Sequence, residues 1–174
     1  MNASKYKKLY TLPPSVDMSW TAQEYPRHAP VWCSVDLRDG NQSLIVPMNL
    51  NEKIEFFRTL VNIGFKEIEV GFPAASETEY AFVRTLAEEG LVPDDVTIQV
   101  LTQAREHILK KTFDSLDGIK NAIIGIYIPT SQAQRTHVLR RSREEVRQMA
   151  ADAAWMLKEL TESAKGPYRF KITP

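Results

Sequence analysis

The octet Val35-Asp36-Leu37-Arg38-Asp39-Gly40-Asn41-Gln42 places a guanidinium, two carboxylates, a glycine and two side-chain amides directly behind an apolar run at 31–35. A strand that ends by delivering these groups is suited to chemistry at oxygen. Asp39 can hold a divalent cation, and Arg38 beside it can stabilise negative charge developing on an oxygen. An isolated Asp-Gly reads more simply as an ion pair followed by a turn. Eight residues of this composition in a row favour a site.

Two other apolar runs end in polar groups. One carries Glu69 and then Gly71-Phe72-Pro73-Ala74-Ala75-Ser76, and the other carries Tyr127, Pro129, Thr130, Ser131, Gln134 and Arg135. Several of these side chains have plainer uses. Asp36 reads better as a loop cap or lysine partner than as a ligand. Glu69 serves equally well as a buried acceptor for Arg38 or as a substrate contact. Gln42 can satisfy loop backbone or reach a substrate. His28, His107 and His137 have no metal-ligand spacing among them, and Lys110-Lys111 and Arg140-Arg141 are short enough to be solvated helix faces.

These groups need elements to position them. Apolar runs at 31–35, 67–71, 96–101 and 122–128, with a fifth beginning near Tyr168, are nearly continuous, as in the strands of a parallel sheet covered by helices. Between them lie helical patterns. Asn49-Leu50-Asn51-Glu52, Ser76-Glu77-Thr78-Glu79 and Ser142-Arg143-Glu144-Glu145 each fit a capping box, in which the first side chain and the Glu three residues later satisfy orphan amides reciprocally. Ile54, Phe57 and Val61 form the stripe after the first cap, and Phe82, Val83 and Leu86 the stripe after the second. Val146, Met149, Ala150, Ala153, Leu157 and Leu160 form the last. Gly64 and Gly90 stop the first two helices, and a further helix is predicted over about 105–116.

Four strand–helix repeats and a fifth strand mean α/β alternation, in an open doubly wound sheet or a (β/α)8 barrel. No G-x-G-x-x-G or Walker loop follows a strand, which removes the usual support for the doubly wound reading. A barrel takes roughly 250 residues, so 174 residues make a partial TIM barrel. Residues 1–30, interrupted by Pro13, Pro14, Pro26 and Pro30, read as an irregular N-terminal extension, and 31–174 as the N-terminal half of the barrel domain.

Composition narrows the class. The chain is 43% hydrophobic and 25% charged, which argues against disorder. Its 22 basic residues balance 22 acidic ones, leaving no excess for a nucleic-acid backbone. No stretch has the length of a membrane span, and the lysine-dotted start lacks a signal-peptide core. One cysteine, Cys33, permits no intrachain disulfide and suits a reducing, cytoplasmic compartment.

Three motifs in order carry a specific resemblance: the octet at 35–42, Ile68-Glu69-Val70-Gly71-Phe72-Pro73-Ala74-Ala75-Ser76, and Gln99-Val100-Leu101-Thr102-Gln103-Ala104-Arg105. Together they resemble 2-isopropylmalate synthase, in the branch with a proline-containing N-terminal extension. The resemblance runs from about residue 20 to residue 174. It implies a metal-dependent acyltransferase on a TIM barrel that condenses acetyl-CoA with 2-oxoisovalerate, releasing 2-isopropylmalate and CoA for leucine biosynthesis, and a homodimeric full-length enzyme. It assigns Asp39 as a ligand to Mg²⁺, Mn²⁺ or Zn²⁺, Arg38 as the catalytic charge stabiliser, and Gln42, Glu69 and Thr173 as substrate-binding residues.

The pattern also departs from that family. Gly125 stands where family members carry a histidine, Ile128 and Pro129 replace a polar pair before Thr130, and Thr173 stands in for a serine. These differences keep open a related synthase using another 2-oxo acid, of homocitrate or citramalate type. The family's glutamate after the fifth strand, its later His-x-His ligands and its leucine-sensing domain fall outside the 174 residues. The chain by itself is therefore expected to be inactive, or, in a reading from another class, to be a non-catalytic half-barrel.

Overall fold

The computed structural model describes residues 28–164 and 166–173, so the expected extension at 1–30 lies almost wholly outside the described residues. The compact unit Val31–Pro174 is built on five parallel strands: β1 (Cys33–Ser34), β2 (Glu67–Gly71), β3 (Thr97–Thr102), β4 (Ala122–Tyr127) and β5 (Arg169–Thr173). Their order across the sheet is β1-β2-β3-β4-β5. A doubly wound sheet reverses direction partway, whereas each strand here lies beside the next in sequence, as around the wall of a barrel. Among the described residues the sheet is open, with β1 and β5 at its edges.

Among the described residues five α-helices lie between the strands, α1 (Asn41–Ser43), α2 (Leu50–Ile63), α3 (Glu77–Glu88), α4 (Glu106–Ser115) and α5 (Arg143–Ser163), together with two π-helical segments, Asp36–Gly40 and Gln134–Leu139. No helix among the described residues is long and apolar enough to cross a membrane. Alternation along the strands sends Ile68, Val70, Ile98, Val100, Ile124 and Ile126 to one face, where they join Phe57, Phe82, Leu86, Leu109 and Leu157 from the helices in a single core. The register Glu69↔Gln99↔Ile123↔Arg169 puts the opposite parity on the other face. That face is polar. Arg169 reaches Glu67 at 3.3 Å and Lys171 reaches Gln99 at 3.2 Å.

The caps at α2 and α5 form as the spacing predicts. Asn49 and Ser142 each accept from the amide three residues on, and Glu52 and Glu145 reach back. Gly64 ends α2 with φ 108°, a conformation that L side chains rarely adopt. α3 departs from expectation. Ser76 caps it, but Glu79 does not return to the cap; it pairs with Lys53 instead.

Two further expectations need correction, and a third needs refinement. The first strand was expected over 31–35, yet only Cys33–Ser34 pair with a neighbour, and Val31 and Trp32 are exposed. An edge strand has one partner, and the chain leaves the ladder at Val35 to form a turn. In α2 the fully buried positions are Lys53, Phe57 and Leu60, while Ile54 and Val61 are half-buried. The predicted stripe packs against the core as expected, and its most buried line passes through Lys53, Phe57 and Leu60. In α5, Met149 is exposed, since the helix buries only the narrower face of Val146, Ala153 and Leu157.

Candidate functional site

Immediately after β1, residues Asp36–Gly40 wind into a π-helical turn. The amides of Arg38, Asp39 and Gly40 all point at the carbonyl of Val35, at 3.2, 2.8 and 3.2 Å. This tight winding buries Leu37 in the core and leaves Arg38 and Asp39 at the carboxyl end of the sheet. Ser34 Oγ donates to the Asp36 carboxylate at 2.6 Å, so this acid is engaged within the turn itself.

Arg38 lies between two carboxylates. Its Nε donates to Glu69 Oε1 at 2.8 Å and its Nη1 to Asp39 Oδ1 at 2.7 Å. The two acids differ in kind: the Glu69 side chain is 4% exposed and that of Asp39 62%. Glu69 is thus an internal anchor that orients the guanidinium, while Asp39 faces solvent and can meet a ligand. Burial works against the Arg38 charge, but the hydrogen bond and charge of Glu69, with Asp39, hold its pKa above the ordinary arginine value. The result is a fixed, permanently charged donor.

Beside this group opens a cleft of about 540 Å³ whose walls include Arg38, Asn41, Gln42, Phe72 and Leu101. The structure therefore brings Arg38, Asp39, Gln42 and Glu69 together with the Gly71–Ser76 loop. Thr173 is placed differently. It ends β5 at the same carboxyl edge, in register with Tyr127, but at the far side of the five-strand order from β1. The polar groups after β4 form a neighbourhood of their own: Thr130 and Arg135 line a second cleft, with Ile128 and Arg143. Within it Arg135 Nε donates to the Thr130 carbonyl at 3.0 Å.

Sequence reading missed the role of Asn41 and the inner-face pair Gln99 and Lys171. Asn41 is buried, and its side-chain oxygen accepts from the Met48 amide at 2.7 Å, which shapes the loop that closes the cleft. Gln99 and Lys171 could have been found from parity, since Glu67, Glu69, Gln99 and Lys171 are polar residues at one parity of otherwise apolar strands. Cys33 shares the Glu67 register position. Burial, and then the charges of Glu67 and Glu69, push its thiol pKa up, which is the opposite of what a nucleophile needs.

A divalent cation fits these residues only in part. Among the described residues no group of three or more His, Cys, Asp or Glu converges. Asp39 offers one exposed carboxylate, and hard cations need several protein oxygens or imidazoles to displace water.

Comparison with known proteins agrees with this geometry. The model of the HMGL-like family matches residues 29–172, from before β1 to the penultimate residue of β5. A 2-isopropylmalate synthase of Helicobacter hepaticus is 59% identical over 174 residues, covering 100% of this chain and 31% of the relative. One from Desulfitobacterium hafniense is 53% identical over 173 residues, 99% of this chain and 31% of the relative. One from Corynebacterium glutamicum is 53% identical over 134 residues, 77% of this chain and 22% of the relative. The chain thus spans about a third or less of the length of these curated relatives. With the family model covering the Arg38–Asp39 turn and the strands that frame it, the chain belongs to the HMGL-like family, whose fold is a TIM barrel.

Proposed function

We propose that this chain forms the first part of the catalytic barrel of a 2-isopropylmalate synthase. The carrying observation is the Arg38 guanidinium, fixed by buried Glu69 and bordered by exposed Asp39 at the carboxyl mouth of the sheet. The names of relatives up to 59% identical to it support the assignment.

In the proposed reaction a base removes a proton from the acetyl methyl of acetyl-CoA. The resulting enolate carbon bonds to the ketone carbon of 2-oxoisovalerate, and the ketone oxygen becomes a hydroxyl. Water then cleaves the thioester, releasing CoA and 2-isopropylmalate. Arg38 stabilises the negative charge that accumulates on oxygen, a role that suits a donor held rigid before the charge develops. Gln42 and Thr173 contact the substrates, and Glu69 acts by holding Arg38. A divalent cation, Mg²⁺, Mn²⁺ or Zn²⁺, would supply Lewis acidity, with Asp39 as one ligand. Asp39 alone does not make a cation site. The reading extends to a cytoplasmic homodimer, which sizing and fractionation would check.

A second reading changes only the 2-oxo acid. Gly125 lies on the inner face in register with Lys171, and this lysine is a cation that a different substrate carboxylate could meet.

The test is CoA release by the full polypeptide that carries this chain, supplied with acetyl-CoA and, in turn, 2-oxoisovalerate, 2-oxoglutarate and pyruvate. Release with 2-oxoisovalerate in preference to the others is expected. Preference for another acid selects the second reading, and no release with any acid refutes both. Residues 1–174 expressed alone are expected to show no release.

A further inference from the structure

The most deeply buried cation among the described residues takes no part in the chemistry above. Lys53 is 0% exposed, in the second turn of α2. Its ammonium pairs with Glu79 Oε1, in the first turn of α3, and lies 5.2 Å from the centroid of the Phe82 ring. The second oxygen of Glu79 accepts from the Phe72 amide at 3.3 Å. Phe72 lines the cleft beside Arg38. The residue before it, Gly71, has φ 154°, and a Cβ built there would overlap Glu79 Oε2. The glycine is what lets the carboxylate approach the backbone so closely.

We propose that the Lys53–Glu79 pair is a positioning device for the candidate site, fixing the Gly71–Phe72 backbone against the cleft. Its catalytic consequence rests on the synthase reading. Two features point to this role rather than to generic packing. Glu79 forgoes the return half of its capping box, which Glu52 and Glu145 both complete, and turns to Lys53 and Phe72. The site also demands a carboxylate. Both oxygens of Glu79 accept, one from an ammonium and one from an amide. A glutamine of nearly the same shape has only one acceptor end, so its NH₂ would have to face one of the two donors.

That chemistry makes a specific test possible in the full polypeptide. In Glu79→Gln, hydrogen exchange at the Phe72 amide should accelerate about tenfold or more while Ile98 and Ile124 in the central strands keep their rates. kcat/KM for the 2-oxo acid should fall by about tenfold or more, because misplacement of a cleft wall is felt at the reacting atoms. In the double variant Lys53→Met/Glu79→Gln, the glutamine can turn its NH₂ toward the vacated ammonium position and present its oxygen to Phe72. Phe72 protection and kcat/KM should then recover toward wild type, whereas a merely structural role predicts additive loss. Unchanged Phe72 exchange in Glu79→Gln would overturn the proposal. So would faster exchange with kcat/KM within about twofold of wild type, or a double variant worse than the single one. If the wild-type polypeptide lacks synthase activity, the function reading falls, and the exchange pattern of the two variants still decides whether the clamp exists.

Discussion

Replacing Glu69 separates two uses of a buried carboxylate that the sequence leaves open. Glu69 accepts from Arg38 Nε at 2.8 Å with only 4% of its side chain exposed, so the pair is held largely out of water. A hydrogen bond between charged groups contributes about 1.5–3 kcal/mol. Arg38 retains Asp39 at 2.7 Å and is itself 22% exposed, so the lower half of that range applies. In Glu69→Leu, the loss of about 1.5–2 kcal/mol of orientation should lower kcat/KM by about 10–30-fold. Glu69→Gln keeps the volume and one acceptor oxygen but loses the charge. A neutral acceptor is about half as strong, so the fall should be about 3–5-fold. The assay is steady-state CoA release by the full polypeptide, with circular dichroism to establish folding. The order Leu below Gln below wild type is the signature of an anchor. If Glu69 touched the substrate or moved a proton, both variants would fall together by orders of magnitude. That result, or a Leu variant equal to wild type, would refute the anchoring role.

Three further outcomes follow from particular contacts. In the full polypeptide Asp39→Asn should weaken Mn²⁺ binding by about tenfold or more, measured calorimetrically, because an amide oxygen replaces an anionic donor; unchanged affinity removes Asp39 as a ligand. Asn49→Ala should destabilise α2 by about 1 kcal/mol in denaturant titration, since it deprives the Glu52 amide of its acceptor at 3.1 Å; an unchanged midpoint would show that the cap is dispensable. Glu145 should make α5 acid-sensitive. Its pKa is lowered from 4.5 to about 2, first by the backbone hydrogen bond from Ser142 and then by Arg141. Because the folded value lies below the unfolded one, this contribution is present above pH 4.5 and is lost as pH falls toward about 2. Helicity followed from pH 5 to 2 should therefore fall less steeply in Glu145→Gln, and identical acid curves would contradict the assignment.

Much of the frame was legible because its signals are local. Caps at Asn49 and Ser142 depend on residues three apart, and parallel strands announce themselves as short apolar runs. The site was legible only as composition. That Arg38, Asp39 and Glu69 form one group could be suspected from their places after successive strands, but which acid anchors and which faces outward depends on burial. The same limit explains the first strand. Residues 31–35 carry the apolar pattern of a covered strand, yet whether such a run is paired on one side or two is decided by neighbours far along the chain, and among the described residues only β2 adjoins it. The π-helical turn was not legible at all, since three amides converging on one carbonyl leave no periodic trace in eight residues.

Glu79 shows why a correct local rule can still give the wrong partner. Ser76 and Glu79 have the same spacing as Ser142 and Glu145, and the serine caps its helix in both cases. The glutamates diverge because their surroundings do. Glu145 is exposed and binds Arg141 and the Ser142 cap. Glu79 looks across at a lysine with no exposure, and an unpaired buried ammonium is far more costly than an unfilled half of a cap. The buried ammonium therefore takes the carboxylate, and the backbone of Phe72 follows it. Nothing in the segment 76–79 encodes that choice; it is set by Lys53, 26 residues earlier. A lysine at the centre of an apolar helix stripe, followed by a strand ending in Gly-Phe-Pro and a helix-start glutamate, is thus the pattern that would have exposed this contact.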